Sequence, residues 1–413
     1  MNDPATMTAT AARRAIVAGT LTPAALMEAC RAHITAREGD VRAFTVLAER
    51  PSGGDGPLAG LPIGVKDVLD TAELPTSYGS PIWAGYQPRA DAACVAWARA
   101  AGALVMGKTV TTEFATRKPG PTTNPHDATR TPGGSSSGSA AAVGAGFVPL
   151  AFGTQTAGSV IRPAAYCGIV GYKPSFGLID RHGMKLMSVS LDTIGVMARS
   201  VGDCALFAGV VSGVDLGDPD HAMAAPRIGL CRTPFWNRAG PGTMALFDGL
   251  ADRLTRAGAS VRPFDLVGFD DAEHTLAVVM NHESGRAMGW EWSAHRDQIS
   301  PGLQERLGFG LAQSAAIVIA ARQAMRDWQN WFRDAMAGFD ILVTPSAPDE
   351  APPGLDHTGD PAFNLIWTML HVPCVTIPAG VGAAGLPLGV QIVGPMNHDA
   401  ATLAAAAWVQ AAL

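Results

Sequence analysis

The chain has 413 residues, of which 47% are hydrophobic and 16% are charged, and its formal net charge is −6. This composition indicates a globular protein with a large interior and argues against disorder. The acidic balance, without a dense stripe of Lys and Arg, excludes the phosphate contacts by which proteins bind nucleic acids. We therefore expect no nucleic-acid partner.

Cysteine spacing and hydropathy indicate which cofactors and which cellular location to expect. Neither a disulfide framework nor a zinc site is expected, because the cysteines form no close pair. No run approaches about 18 consecutive apolar residues, and the N-terminus lacks an apolar segment of signal-peptide form. We expect no membrane span, a cytoplasmic location, and neither a metal nor another cofactor. The six cysteines are Cys30, Cys94, Cys167, Cys204, Cys231 and Cys374.

The first predicted elements are helices followed by a buried strand. Residues 1–48 are expected to form a helical outer layer, in which Thr22 caps a helix and Pro23 occupies its first turn. An apolar run at residues 61–65 predicts a short strand, and it ends at Lys66. A lysine in this place must be paired, reach solvent or lose its proton.

Alternation of helices and strands continues along the rest of the chain. Asp91 is expected to cap a helix at residues 92–101, and Ser200 with Asp203 resembles a capping box. The pattern predicts an α/β fold with a single mixed, largely parallel sheet sandwiched by helices, in one domain over residues 1–413. Strands are expected at 103–107, 149–152, 168–171, 227–230, 340–345, 374–378 and 388–394, and helices at 244–256, within 266–337 and at 400–413.

Two Gly/Ser clusters, at residues 133–139 and 153–163, are the main candidates for a functional site. Glycine permits positive φ and close backbone approach, so such clusters can direct amide N–H groups at a substrate. Turns and flexible connectors have the same composition. For Lys66, an ion pair with Asp67 or Asp70 and a chemical role both stay open from position alone.

Convergence of Lys66 with Ser135 and Ser159 would create a nucleophilic site. A neutral lysine amine can accept the proton of a serine hydroxyl, and a second serine can relay it. Bringing a lysine pKa from near 10.4 to near 7 takes about 4–5 kcal/mol of destabilisation of the ammonium form, which burial can supply. Backbone N–H groups that would face the developing oxyanion belong to Thr156, Ala157, Gly158 and Ser159.

These motifs make the chain resemble the amidase signature family. The family pattern has a lysine in Gly-x-Lys-Asp, a Gly-Gly-Ser-Ser stretch and a nucleophile in Gly-Gly-Ser-x-x-Arg. Residues 64–67, 133–136 and 157–162 match these motifs in order. The similarity extends from about residue 20 to the end of the chain.

The resemblance implies the amidase signature fold and a hydrolase acting on carbon–nitrogen bonds of linear amides other than peptide bonds. It implies Ser159 as the nucleophile, Ser135 as a bridging serine in a cis peptide, and Lys66 as the base. The reactants would be a small amide and water. Relatives often form dimers, so a homodimer is expected.

Within the family the sequence is most similar to malonamidases, in which the arginine three residues after the nucleophile holds the substrate carboxylate. Arg162 has the matching position, which implies a small anionic amide of the malonamate type. A structural role for this arginine stays open. Ala157 and Ser137 stand where many relatives have glycine. Candidates for pocket walls are Trp290, Trp367 and Met369.

Three alternatives stay open. The same triad could attack aryl amides, esters or carbamates. A tRNA-dependent amidotransferase subunit would share the fold, although the acidic charge and short chain argue against it. A Gly-x-Ser-x-Gly nucleophile elbow on Ser136 would need a preceding strand, for which residues 129–132 are poorly suited, and a base from among His182, His282 and His371.

Overall fold

A computed structural model describes residues 3–219 and 223–413. In this described part, eleven strands form one mixed sheet, which confirms the predicted fold class. The strands are β1 (Phe44–Leu47), β2 (Pro62–Lys66), β3 (Leu104–Thr109), β4 (Leu150–Gln155), β5 (Val170–Lys173), β6 (Thr193–Ala198), β7 (Arg227–Leu230), β8 (Ser260–Pro263), β9 (Ile341–Pro345), β10 (Cys374–Val381) and β11 (Pro387–Val393).

Thirteen α-helices accompany the sheet within the same described residues. They are α1 (Ala9–Val17), α2 (Pro23–Val41), α3 (Ala93–Ala100), α4 (Ser137–Gly144), α5 (Ile161–Tyr166), α6 (Val201–Ser212), α7 (Pro241–Arg256), α8 (Ala272–Ala287), α9 (Gly289–Ala294), α10 (Pro301–Leu311), α11 (Ala315–Ala335), α12 (Leu365–Met369) and α13 (Asp399–Ala412). None of these described helices is long and apolar enough to cross a bilayer.

The expectation of a largely parallel sheet was wrong. The strand order is β1-β3-β2-β4-β6-β5-β10-β11-β9-β7-β8. Parallel pairs occur only at β3-β2-β4 and at β9-β7-β8 among the described strands, and the remaining six pairs are antiparallel. Two pairs of strands that follow each other in the chain, β5 with β6 and β10 with β11, have no α-helix between them and therefore pair antiparallel.

Two local predictions at the start of the chain were also wrong. The predicted helical layer at residues 1–48 ends in a strand, β1, which pairs with β3 at the sheet edge. Asp91 does not cap helix α3. Its carboxylate accepts from the N–H of Ala72 at 2.8 Å and pairs with Arg99 at 3.0 Å. Asp91 thereby connects the loop at Ala72 to the side chain of Arg99 on α3, and does not cap this helix.

Two predicted helix starts are confirmed by their hydrogen bonds. The Thr22 hydroxyl accepts from the N–H of Ala25 at 3.1 Å at the start of α2. The Ser200 hydroxyl accepts from the N–H of Asp203 at 3.1 Å at the start of α6. The Asp203 carboxylate in turn accepts from the N–H groups of Ala9 and Thr10, so this cap also fixes helix α1 against α6.

Parallel pairing of β2 with β4 positions the functional residues. Both strands are buried along their whole length, and Gly64 pairs with Ala151. Because the carboxyl ends of parallel strands lie at the same edge of a sheet, Lys66 and Gln155 come to adjacent points. Helices α4 and α5 begin beside this edge, each within one of the two Gly/Ser clusters. The single domain over residues 1–413 stays a prediction.

Candidate active site

Lys66 is fully buried at the end of β2 and has only uncharged hydrogen-bond partners. Its Nζ lies 2.7 Å from Ser135 Oγ, 2.7 Å from Thr154 Oγ1 and 3.4 Å from the Thr154 carbonyl. The ion-pair alternative was wrong, because Asp67 pairs with Lys108 at 3.1 Å and Asp70 accepts from the Tyr78 hydroxyl. No carboxylate in the described residues lies within 4.0 Å of this amine.

Burial changes the protonation of Lys66. It lowers the pKa of the amine to about 7, and the negative charge of Asp192 opposes this change without cancelling it. Removing the ammonium from water disfavours the charged form, and no ion pair restores it. At neutral pH a large fraction of Lys66 is therefore an amine that can accept a proton, whereas a lysine in water is almost fully charged.

Ser135 follows the cis peptide bond Gly134–Ser135, as the resemblance implied. Its side chain is buried, and its hydroxyl is hydrogen-bonded to Lys66. Gly133, two residues earlier, has φ +81°, and a Cβ at that position would lie 2.7 Å from the Pro163 Cα. The tight backbone that presents Ser135 therefore requires glycine at position 133.

Ser159 is half-buried and lines a cavity of about 560 Å³. The N–H of Ser136 donates to the Ser159 carbonyl at 3.4 Å, which brings the two Gly/Ser clusters side by side. In the described hydrogen-bond network, no bond joins the Ser135 and Ser159 hydroxyls. The structure thus brings Lys66 and Ser135 into direct contact and places Ser159 on the cavity wall next to them.

The segment from Thr156 to Ser159, here called the amide loop, is fixed at both ends. The Gln155 side chain accepts from the N–H groups of Val160 and Ile161 and donates to Thr368 Oγ1 at 3.1 Å. Thr368 donates to the Ala157 carbonyl at 2.9 Å. Within residues 3–219 and 223–413, the loop's own N–H groups have no hydrogen-bond partner; they belong to Thr156, Ala157, Gly158 and Ser159. They are free to bind an oxyanion.

Arg162 combines a structural contact with one available donor. Its side chain is 4% exposed, and it donates to the Thr358 carbonyl and to the Gly134 carbonyl, both at 2.7 Å. Its Nη1 is buried without a partner among the described residues, and the side chain lines the cavity. Burial lowers the pKa of this guanidinium to about 10. Arg162 therefore anchors the backbone beside Ser135 and keeps one N–H group available.

Three further arginines line the cavity, and no sequence motif pointed to them. Arg238 is neutralised by Glu273 and by Asp360 at 3.3 Å. Among the described residues, Arg306 donates hydrogen bonds only to the Asn281 side chain and a methionine sulfur, and burial lowers its pKa to about 10. In the described part of the chain, Arg306 and the exposed Arg117 have no carboxylate within 4.0 Å.

The nucleophile-elbow alternative was wrong. Ser136 Oγ is fully buried and is hydrogen-bonded to the backbone of Thr154, away from the cavity lining. None of its candidate bases reaches it. His182 binds Asp180, His282 contacts the Gly310 carbonyl, and His371 contacts the Ser190 carbonyl at 2.7 Å; these partners were not predicted.

Other predicted wall residues lie elsewhere. Trp367 and Met369 are buried in the hydrophobic core, and Trp290 is half-exposed on α9; none of the three lines the cavity. The walls instead include Met187 and Leu276. Among the described residues, no three His, Cys, Asp or Glu side chains come together as a metal-ligand set.

Comparison with known proteins agrees with this geometry. A model of the family described as Amidase matches residues 29–403. A glutamyl-tRNA(Gln) amidotransferase subunit of Chloroflexus aggregans is 35% identical, over 96% of this chain and 94% of the relative.

Two solved structures are similar along nearly their whole length. An amidase superposes with a TM-score of 0.89 at 28% identity, covering 98% of this chain and 100% of that one. The peptide amidase of Stenotrophomonas maltophilia superposes with a TM-score of 0.83 at 28% identity, covering 98% and 96%. Both similarities extend far beyond the signature motifs. The chain belongs to the amidase family.

Proposed function

We propose that this chain hydrolyses the C–N bond of small linear amides through an acyl-enzyme on Ser159. The strongest support is the buried Lys66, which has a pKa of about 7, lies 2.7 Å from Ser135 Oγ and has no acidic partner within 4.0 Å in the described residues. Two other buried lysines differ from it, because Lys108 is paired with Asp67 and Lys173 donates to two backbone carbonyls, whereas Lys66 contacts a serine hydroxyl. An uncharged amine beside a serine hydroxyl is what a general base requires.

Acylation replaces the C–N bond of the amide by a C–O bond to Ser159, and it moves one proton from Ser159 to the leaving nitrogen. Ser159 Oγ attacks the amide carbon while its proton passes to Ser135 Oγ, and the proton of Ser135 passes to Lys66 Nζ. The C–N bond of the tetrahedral intermediate then breaks. The leaving nitrogen takes a proton back along the same route, so Lys66 becomes neutral again and the acyl group stays on Ser159.

Deacylation repeats these steps with water. Lys66 and Ser135 accept a proton from water as its oxygen attacks the ester carbon, and Ser159 recovers the proton when the C–O bond breaks. In both acylation and deacylation, the N–H groups of the amide loop bind the oxyanion. These preoriented donors take the place of water molecules. The products are a carboxylic acid and ammonia or an amine.

The cavity favours an anionic substrate. Arg162 Nη1 faces no partner in the described structure, and Arg117 and Arg306 are the other cations whose charge no nearby carboxylate balances there. A malonamate-like amide would supply a carboxylate to these donors. Aryl amides, esters and carbamates need the same relay and remain alternative substrates.

An ammonia-release assay over matched amides tests the proposal. The wild-type chain should release ammonia from small amides, with carboxylated amides preferred over neutral ones of equal length. Ser159→Ala should abolish release. Arg162→Gln should raise KM for the carboxylated amides more than for the neutral ones. Equal activity of wild type and Ser159→Ala would refute the acyl-enzyme, and equal KM values in both amide classes would refute the anionic substrate.

A second candidate is the role named for the relative from Chloroflexus aggregans, a component of a glutamyl-tRNA(Gln) amidotransferase. The 35% identity over 94% of that protein favours it. Autonomous hydrolysis of a small amide by the purified chain would argue against an obligate partner. The homodimer and the cytoplasmic location stay predictions.

A further inference from the structure

Asp192 is a buried carboxylate between the amide loop and the opposite cavity wall. One oxygen accepts from Thr156 Oγ1 at 2.5 Å, and the other accepts from the N–H groups of Met187 at 2.7 Å and Ser188 at 3.0 Å. Thr156 begins the amide loop, and Met187 lines the same cavity. Asp192 therefore connects two separate pieces of the cavity wall through three hydrogen bonds.

Sheet pairing sets this position. Gln155 at the end of β4 pairs with Thr193 at the start of antiparallel β6. Asp192 precedes Thr193 and Thr156 follows Gln155, so the two side chains meet just beyond the end of the ladder. A carboxylate is well suited to this place, because it can accept from three donors on different segments at once.

Asp192 also supplies the acidic charge that acts on Lys66. Burial raises the pKa of Asp192, and its three donors oppose that rise. Its charge acts against the burial that lowers the pKa of Lys66. The other charged groups around the pair are engaged: Asp67 with Lys108 beside β2, Arg181 on the Asp192 carbonyl, and Glu283 with the Ser188 hydroxyl and Arg322.

We propose that Asp192 is a positioning residue for the hydrolysis, holding the amide loop through Thr156 and placing a negative charge near Lys66. This inference depends on the proposed function, in which Lys66 is the base. Two consequences follow, and they are separable. The hydrogen bond fixes where the loop N–H groups point, and the charge raises the pH at which Lys66 loses its proton, against the larger effect of burial.

Three variants separate the two effects. Asp192→Asn removes the charge and keeps one accepting oxygen, so it loses either the bond from Thr156 or the bonds from the N–H groups of Met187 and Ser188. Thr156→Val keeps the charge and removes the hydrogen bond, and Thr156→Ser restores the hydroxyl. Asp399→Asn is the matched control, because Asp399 is also buried and accepts from the Tyr172 hydroxyl and the Ser175 N–H, but neither of these partners lines the cavity.

The kinetic readout is the pH profile of kcat/KM. Asp192→Asn should move the acid limb to lower pH by about 0.5–1 unit, because the amine loses the charge that favours its protonation. Thr156→Val should lower kcat by about tenfold or more without moving the limb, since only the oxyanion donors are misplaced. Thr156→Ser should recover most of the kcat that Thr156→Val loses, and Asp399→Asn should leave both properties near the wild type.

A titration of Lys66 that needs no substrate tests this inference separately from the proposed function. In protein labelled with ¹³C at the lysine ε carbons, the signal absent from Lys66→Met identifies Lys66. Its midpoint should fall by the same 0.5–1 unit in Asp192→Asn and stay unchanged in Asp399→Asn. An unchanged midpoint together with unchanged kcat in Thr156→Val would overturn the inference. A shifted midpoint in a protein that hydrolyses no amide would instead overturn the proposed function.

Discussion

Replacing Lys66 with methionine should stabilise the folded protein at neutral pH while it abolishes turnover. An unfolded lysine holds its proton up to a pH of about 10.4, whereas folded Lys66 holds it only up to about 7. Between these values the unfolded chain binds more protons, so the free energy of unfolding rises with pH. Burial of Lys66 therefore costs the wild type about 4 kcal/mol at pH 7 and about 1 kcal/mol at pH 9.5.

Methionine removes this cost but also loses the two short hydrogen bonds of Lys66 Nζ. Ser135 and Thr154 each lie 2.7 Å from Lys66 Nζ, and each lost bond costs about 1 kcal/mol. Lys66→Met should thus be about 2 kcal/mol more stable than the wild type at pH 7 and about 1 kcal/mol less stable at pH 9.5. The change of about 3 kcal/mol between the two pH values does not depend on the hydrogen-bond term.

Urea unfolding of both proteins at several pH values between 7 and 9.5 measures this difference directly. Lys118→Met is the control, because it removes a lysine at an exposed position. A stability difference for Lys66→Met that does not change with pH would refute the reasoning, since it would mean that folded Lys66 is charged throughout this range.

Two further substitutions test the amide loop and the relay. Gly158→Ala would place a Cβ 2.4 Å from Asn364 Oδ1, so the loop must shift, and kcat should fall by about 10²-fold or more; Gly249→Ala, where nothing lies within 4 Å, should leave kcat unchanged. Ser135→Ala should lower kcat by about 10²–10⁴-fold with little change in KM, because it removes the proton relay and leaves the nucleophile in place; activity within threefold of the wild type would show that Ser159 reaches its base without Ser135.

The site residues within the signature motifs could be predicted because each lies in a short local pattern. Glycine at position 133 and the serine at position 135 share one tight turn, and residues 153–163 form one strand, one loop and one helix start. The absence of an ion pair between Lys66 and Asp67 could not be predicted, because Asp67 instead forms an ion pair with Lys108 on β3. That competition depends on how distant strands pair.

The remaining cavity walls had no local signal in the sequence. Arg306 comes from helix α10 and Met280 from helix α8, and neither lies near a motif. Asp192 stands in a segment that the resemblance covers, but its contact with Thr156 follows from the antiparallel pairing of β4 with β6. Alternation of helices and strands predicted a mixed sheet. The direction of the strands was not predicted, because it depends on which consecutive strands have no helix between them and therefore pair antiparallel.

The most direct test of the central claim is covalent labelling with a serine-directed fluorophosphonate, followed by intact-mass measurement and peptide mapping. The reagent should add once per chain, on Ser159, at a rate that rises with pH around a midpoint near 7, the pKa of Lys66. Lys66→Met should label far more slowly. Addition to Ser136, or a labelling rate that is the same in Lys66→Met as in the wild type, would contradict a relay in which buried Lys66 activates Ser159.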